Sequence, residues 1–133
     1  MSSIETMCQN WAPRLLSVLS IVIGLLFIEH GTSKFFGFPS SGETGTVALF
    51  SLIGLSGVLE LGGGVLLTLG LFTRITGFIL SGEMAVAYFM VHAPHSFFPL
   101  INRGEPAVFY CFLFLYIAAA GPGPWSIDAL RRR

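Results

Sequence analysis

The chain has 133 residues, 53% of them hydrophobic and only 11% charged, with seven acidic and seven basic side chains and a mean hydropathy of +0.79. A soluble domain carries about 25% charged residues, and a short chain must show much of its surface, so the composition excludes a water-soluble globule and points to lipid as the solvent. A net charge of zero gives no footing for a nucleic-acid partner, and two distant cysteines, Cys8 and Cys111, form neither a dithiol motif nor a zinc pattern.

Residues 1–14 are polar, with Trp11 and Arg14 marking a membrane interface. A first span is predicted over residues 15–36. Its run LLSVLSIVIGLLFI has the length of a signal-peptide core, but Glu29, His30 and Lys34 follow it in place of a small-residue cleavage site. It reads as a retained helix. Gly37, Pro39, Ser40, Ser41 and Gly42 then make a loop.

The second span, residues 46–72, runs for 27 residues without Lys, Arg or Asp, more than the ~20 that a transmembrane helix needs. It ends at the short turn Thr73-Arg74. A third span covers residues 75–92, and the connection APHSFFPLINRGEP after it reads as interfacial. The fourth span, residues 106–120, opens on Pro106, which suits a first helical turn, and closes at Gly121-Pro122-Gly123-Pro124. At 15 residues it is short. Trp125 and three terminal arginines, Arg131, Arg132 and Arg133, complete the chain.

The predicted fold is therefore all-α, an integral membrane four-helix bundle in one domain, residues 1–133. An even number of spans places both termini on one side. That side gathers Arg14, Arg74 and the terminal arginines, against Lys34 and Arg103 opposite, which predicts a multi-pass inner (plasma) membrane protein with cytoplasmic ends.

The polar residues inside these spans are the candidates for chemistry. Glu60 lies near the middle of the second span, and Gly57, Gly63 and Gly64, at i−3, i+3 and i+4, share its face. Small residues admit a neighbouring helix, so these three glycines are assigned a structural role and Glu60 is predicted to face a helix. Glu83 marks the middle of the third span. Counted from Arg74, the two acids differ in depth by roughly 7 Å, and no Lys or Arg is expected at that depth. Burial favours the neutral acid, and two close carboxylates share a proton readily. Glu60 and Glu83 are thus the candidate proton-handling pair. The bland reading is hydrogen-bonding glue between helices.

A second group, Glu29, His30, Tyr88, His92 and Glu105, with His95 in the loop beside it, lies toward the outer face of the membrane, and its first five members are the candidate ligand site. Tyr88, at i−4 from His92, shares its face, and Glu83 does not. No ligand spacing on one helix supports a metal, and a bis-histidine haem on His30 and His92 is weaker still. Phe109, Phe112 and Phe114 read as packing and lipid contact, and Cys111 as a small core residue. Arg74 is predicted to be structural, serving the carbonyls at the end of the second span.

The segments IEHGTSKFFGF, SGVLELGGGVLLTLGLFTR, SGEMAVAYFMVH and RGEPAVFYCFLFLYIAAAGPGPWSID together resemble the DoxX family of small four-helix bacterial and archaeal membrane proteins. The similarity covers about residues 14–128. It implies the same bundle, association with membrane quinone oxidoreductases, and quinone as the candidate cofactor. The chain carries no flavin, haem or iron–sulfur motif, so electrons in such a role would come from partner subunits. Two readings follow: a quinone-interacting or accessory subunit of an oxidoreductase, and a non-catalytic scaffold or small-solute or metal carrier. Lipid, redox subunits and further copies of the chain are the partners they call for.

Overall fold

The computed structural model describes residues 1–40, 42 and 46–132, and all its regular structure is helical. Ser41 and Arg133, which the sequence places in a loop and in the basic tail, lie outside the described residues. The elements are α1 (Ser3–Phe36), α2 (Leu52–Leu69), α3 (Thr73–Ala87) continuing as one π-helical turn (Tyr88–His92), α4 (Pro99–Asn102), α5 (Glu105–Ala120) and α6 (Ile127–Arg131). This is a helical membrane bundle. Three helices are long and apolar enough to cross a membrane: α1, α2 and the α3 helix with its π turn. The fourth, α5, is 16 residues, about 24 Å at 1.5 Å per residue. The exposed apolar side chains of Phe97, Phe98, Leu100 and Ile101, ahead of its start, extend that layer.

Two helix starts differ from the sequence reading by more than two residues. α1 begins at Ser3, ahead of residue 15, because Ser2 and Glu5 form a capping box: Ser2 Oγ accepts from the Glu5 amide, and Glu5 Oε2 accepts from the Ser2 amide. α2 begins at Leu52, not 46. Ser51 caps it, its Oγ accepting from the Gly54 amide at 3.0 Å.

α1 packs antiparallel on α2, and α3 on α5, with the α2–α3 turn joining the pairs. Small residues make both close approaches. A Cβ on Gly64 would lie 2.7 Å from the Gly24 carbonyl oxygen and 2.8 Å from the Ile28 amide, and one on Gly77 would lie 2.9 Å from the Phe114 carbonyl. Buried serines add bonds between elements, from Ser17 Oγ to Pro122 O, Ser20 Oγ to Leu67 O and Ser81 Oγ to Cys111 O. Ile23, Phe27, Leu67, Leu80, Met84, Phe114 and Ile117 fill the centre. Phe114 is thus core, while Phe109 and Phe112 face outward.

Arg74 serves a different helix from the one expected. α2 ends on Gly70, in the left-handed region at φ 68°, whose amide and that of Leu71 close on the last carbonyls. Arg74 Nη1 instead donates to the carbonyls of Ala118 and Ala119 at the end of α5, where a cation meets the negative end of the dipole.

The α2–α3 turn is held from the far end of the chain. Asp128 Oδ1 accepts from the Phe72 amide and Oδ2 from the Thr73 amide, both at 3.0 Å. Burial alone would raise the Asp128 carboxyl. The Thr73 and Phe72 amide bonds, with Arg131 nearby, outweigh burial and hold it below its usual value. A lowered folded value means the stabilisation is full above the ordinary aspartate range and is lost as pH falls through the folded value. Asp128→Ala is expected to cost about 1 kcal/mol at neutral pH, as for a lost helix cap. Melting curves of variant and wild type in detergent should converge as pH falls below the ordinary aspartate range; a gap that persists in acid would contradict this role.

Candidate functional site

α2 and α3 meet where Gly63 takes the Leu80 side chain, whose methyl carbon would lie 2.9 Å from a Cβ there. Farther from the turn, a cleft of about 510 Å³ opens between them. Its walls are apolar: Leu52, Leu55 and Leu59 from α2, Ile79 and Val86 from α3, and Met90 and Val91 from the π turn. Most of these side chains are exposed on the outside of the bundle, so the cleft faces lipid. Gly82 lies on its wall with nothing within 4 Å of where a Cβ would stand.

Four polar residues line this cleft: Lys34, Ser56, Glu60 and Glu83. The sequence-predicted acids thus share one cleft. Glu60 is nine residues before Leu69 and Glu83 ten after Thr73, so along the helix pair they are level to within about one residue's rise, ~1.5 Å. The 7 Å offset expected from counting at Arg74 disappears because the turn occupies only residues 70–72.

The expectation that no cation shares their depth is corrected. Lys34 Nζ lies 2.7 Å from Glu60 Oε2 and donates to Ser56 Oγ, also at 2.7 Å. α1 stays helical to Phe36, and α2 starts late, so the last turn of α1 faces the second and third turns of α2. A four-carbon stem then reaches the carboxylate. Glu83 differs. Both its carboxyl oxygens are buried and neither is met by an N–H or hydroxyl donor; its polar neighbour is the Glu60 carboxyl, with which it shares a proton when one of the two is neutral.

Gly57 and Gly64 open the Glu60 face to α1 and Gly63 opens it to α3: a Cβ on Gly57 would meet the Phe35 ring at 2.9 Å. Two glycines of α1, Gly24 and Gly31, complete these contacts against Gly64 and Leu61. They sit seven residues apart, on nearly one face, and that spacing was their signal.

The other sequence-predicted group is dispersed, and none of its five members lines the cleft. Tyr88 and His92 come together, rings stacked at 6.3 Å, under a residue the sequence reading missed. Buried Asn102 donates from Nδ2 to Tyr88 Oη and Ser96 O, takes the Gly104 amide on Oδ1, and offers its carbonyl to His92 Nδ1. It therefore fastens the π turn whose Met90 and Val91 form the cleft's rim. Such turns within α-helices recur at functional sites. His30 donates from Nδ1 to Leu26 O and lies beside Phe27 and Tyr110. Glu29 and Glu105 are exposed. Among the described residues, no three His, Cys, Asp or Glu side chains assemble as a metal-holding set.

An uncharacterized protein of Haemophilus influenzae is 46% identical over 125 residues, covering 90% of this chain and 92% of that one. The inner membrane protein YqjF of Escherichia coli is 29% identical over 128 residues, covering 85% and 88%. A Bacillus subtilis protein bearing the name "Putative oxidoreductase CatD" is 38% identical over 71 residues, about half of each chain. No solved structure matches. The DoxX family model matches residues 15–93, which hold α1 from its membrane entry, α2, α3 and the whole of the cleft, and the chain therefore belongs to the DoxX family of membrane proteins.

Proposed function

We propose that this chain is a quinone-interacting subunit of a membrane oxidoreductase, with Glu60 and Glu83 handling protons in the α2–α3 cleft. One observation carries the reading: the buried Glu83 carboxyl lies beside that of Glu60, met by no N–H or hydroxyl donor, on a lipid-facing apolar cleft of ligand size. Reduction of a quinone consumes two electrons and two protons. The electrons come from a partner dehydrogenase, and the protons reach the ring oxygens through the paired acids. Lys34 holds Glu60 in place, and the apolar walls take the ring and the start of its isoprenoid tail. The name of the Bacillus relative is in keeping with a redox role. The arginine asymmetry favours an inner-membrane placement with cytoplasmic termini.

The scaffold reading has one observation of its own, the Lys34–Glu60 pair that ties α1 to α2. For Glu83 it offers only a proton shared with Glu60. Glu83→Gln separates the two readings: it keeps the shape and removes titration. Membranes carrying Glu83→Gln should hold normal amounts of protein with an unchanged melting midpoint, while quinone reduction falls by roughly 10²-fold or more, the usual worth of a positioned proton donor. Full activity in Glu83→Gln would return the acids to the role of glue.

A further inference from the structure

A second cleft, of about 380 Å³, lies at the other end of the bundle, where α6 docks on the α2–α3 turn. We infer that it binds the phosphate of an anionic phospholipid headgroup. Three arginines line it, Arg74, Arg131 and Arg132, against a single acidic residue, Asp128. That carboxylate is already engaged, each oxygen accepting a backbone amide. Arg74 is partly committed to the α5 carbonyls. Arg131 and Arg132 have no carboxylate within ion-pairing distance among the described residues. The cleft therefore carries a surplus of positive charge with free donors, in the planar fork geometry that suits phosphate oxygens.

The mouth of the cleft is fixed. The Arg131 guanidinium sits over the Phe72 ring, 5.4 Å from its centroid, a stacking that leaves its N–H edge available. Phe72 holds a left-handed φ of 52°, an outlier for a bulky residue, and Asp128 pins its amide there. Thr73, wholly buried, forms part of the lining.

A free phosphate would need only the charged end of this cleft. Its other end is Ile75, 67% exposed, and the equally exposed Phe78 continues the line along α3 into the hydrocarbon. A ligand with a phosphate at the interface and acyl chains below it fits both ends. The site stands apart from the Glu60–Glu83 cleft and does not depend on the reading given to it.

The test titrates short-chain phosphatidylglycerol into the full chain in an uncharged detergent and follows the melting midpoint. The wild-type midpoint should rise and saturate, while phosphatidylcholine of the same chain length and inorganic phosphate leave it flat. Each arginine near an anionic surface is worth about fivefold in affinity, so Arg131→Gln with Arg132→Gln should need about thirtyfold more lipid. Arg132→Gln alone, which disturbs no aromatic contact, should need about fivefold more. Arg103→Gln, at the far end, should titrate like wild type. Phosphatidylcholine acting equally, or the double variant titrating as wild type, would overturn the site. So would an equal loss in Arg103→Gln, which marks diffuse attraction. Inorganic phosphate reproducing the shift would overturn the lipid and leave a free-anion site.

Discussion

Lys34→Met is expected to destabilise the folded chain by about 3–5 kcal/mol, the cost of leaving one member of a buried ion pair uncompensated. Glu60 is the deeper partner, with 6% of its side chain exposed against 26% for Lys34. Methionine keeps the apolar stem and removes the charge, so the loss reports the orphaned carboxylate and not a cavity. The asymmetry predicts the reciprocal result. Glu60→Leu should cost less, because Lys34 can turn its ammonium toward the interface. The double variant should recover most of the loss, since a buried pair exchanged for apolar residues is often neutral. A double-mutant cycle on melting in detergent measures the coupling directly. A loss below about 1 kcal/mol in Lys34→Met, the size of an exposed pair, would mean that Glu60 does not depend on the lysine.

The second large effect belongs to the α1–α2 contact. Gly64→Ala places a methyl 2.7 Å from the Gly24 carbonyl and 2.8 Å from the Ile28 amide. Both are helix backbone and cannot swing aside, so the helices must part. The expected loss is about 1–3 kcal/mol, the range for an overpacked core, even though alanine is the better helix former. Gly62→Ala supplies the control from the same helix. Nothing lies within 4 Å of its Cβ position, so propensity alone acts, and stability should rise by up to about 1 kcal/mol. Opposite signs at positions two residues apart would locate the interface. Equal responses would contradict the packing described here.

How much of this was legible in the sequence can be followed residue by residue. The helical spacing of Gly57, Glu60, Gly63 and Gly64 identified one face and its carboxylate, because 3.6-residue periodicity survives in any long helix. The shared cleft of Glu60 and Glu83 followed from the short turn between their helices. The Lys34 partnership did not, since it depends on where α2 starts. Ser51, the cap that sets that start, is hidden inside a continuous apolar run from residue 46. Hydropathy alone cannot place a helix end within such a run. The capping box of Ser2 and Glu5, which lengthens α1 by a dozen residues, has a readable spacing, but the reading of residues 1–14 as a polar interfacial segment passed over it.

Long-range ties were out of reach for a different reason. Arg74 stands next to the end of α2 in sequence, yet it caps α5, 44 residues away from its nearer acceptor. Asp128 caps a helix that begins 55 residues earlier. Asn102 sits in a connection whose composition announces only a loop, and its role comes from four groups that folding brings around it. Single-chain patterns register neighbours along a helix; they carry no record of which helix ends share a level.

The central claim is that the α2–α3 cleft receives a quinone from the bilayer, and Gly82 offers its most direct test. Its Cβ position opens into empty space on the cleft wall, so Gly82→Phe adds a bulky side chain at the cleft with no clash at Cβ. Quinone that co-purifies with the wild type and with Gly82→Phe is extracted and counted per chain. The account predicts bound quinone in the wild type and its loss in Gly82→Phe, with the melting midpoint of the quinone-free proteins unchanged. Equal quinone in the two preparations, or none in either even after quinone is added, would contradict it.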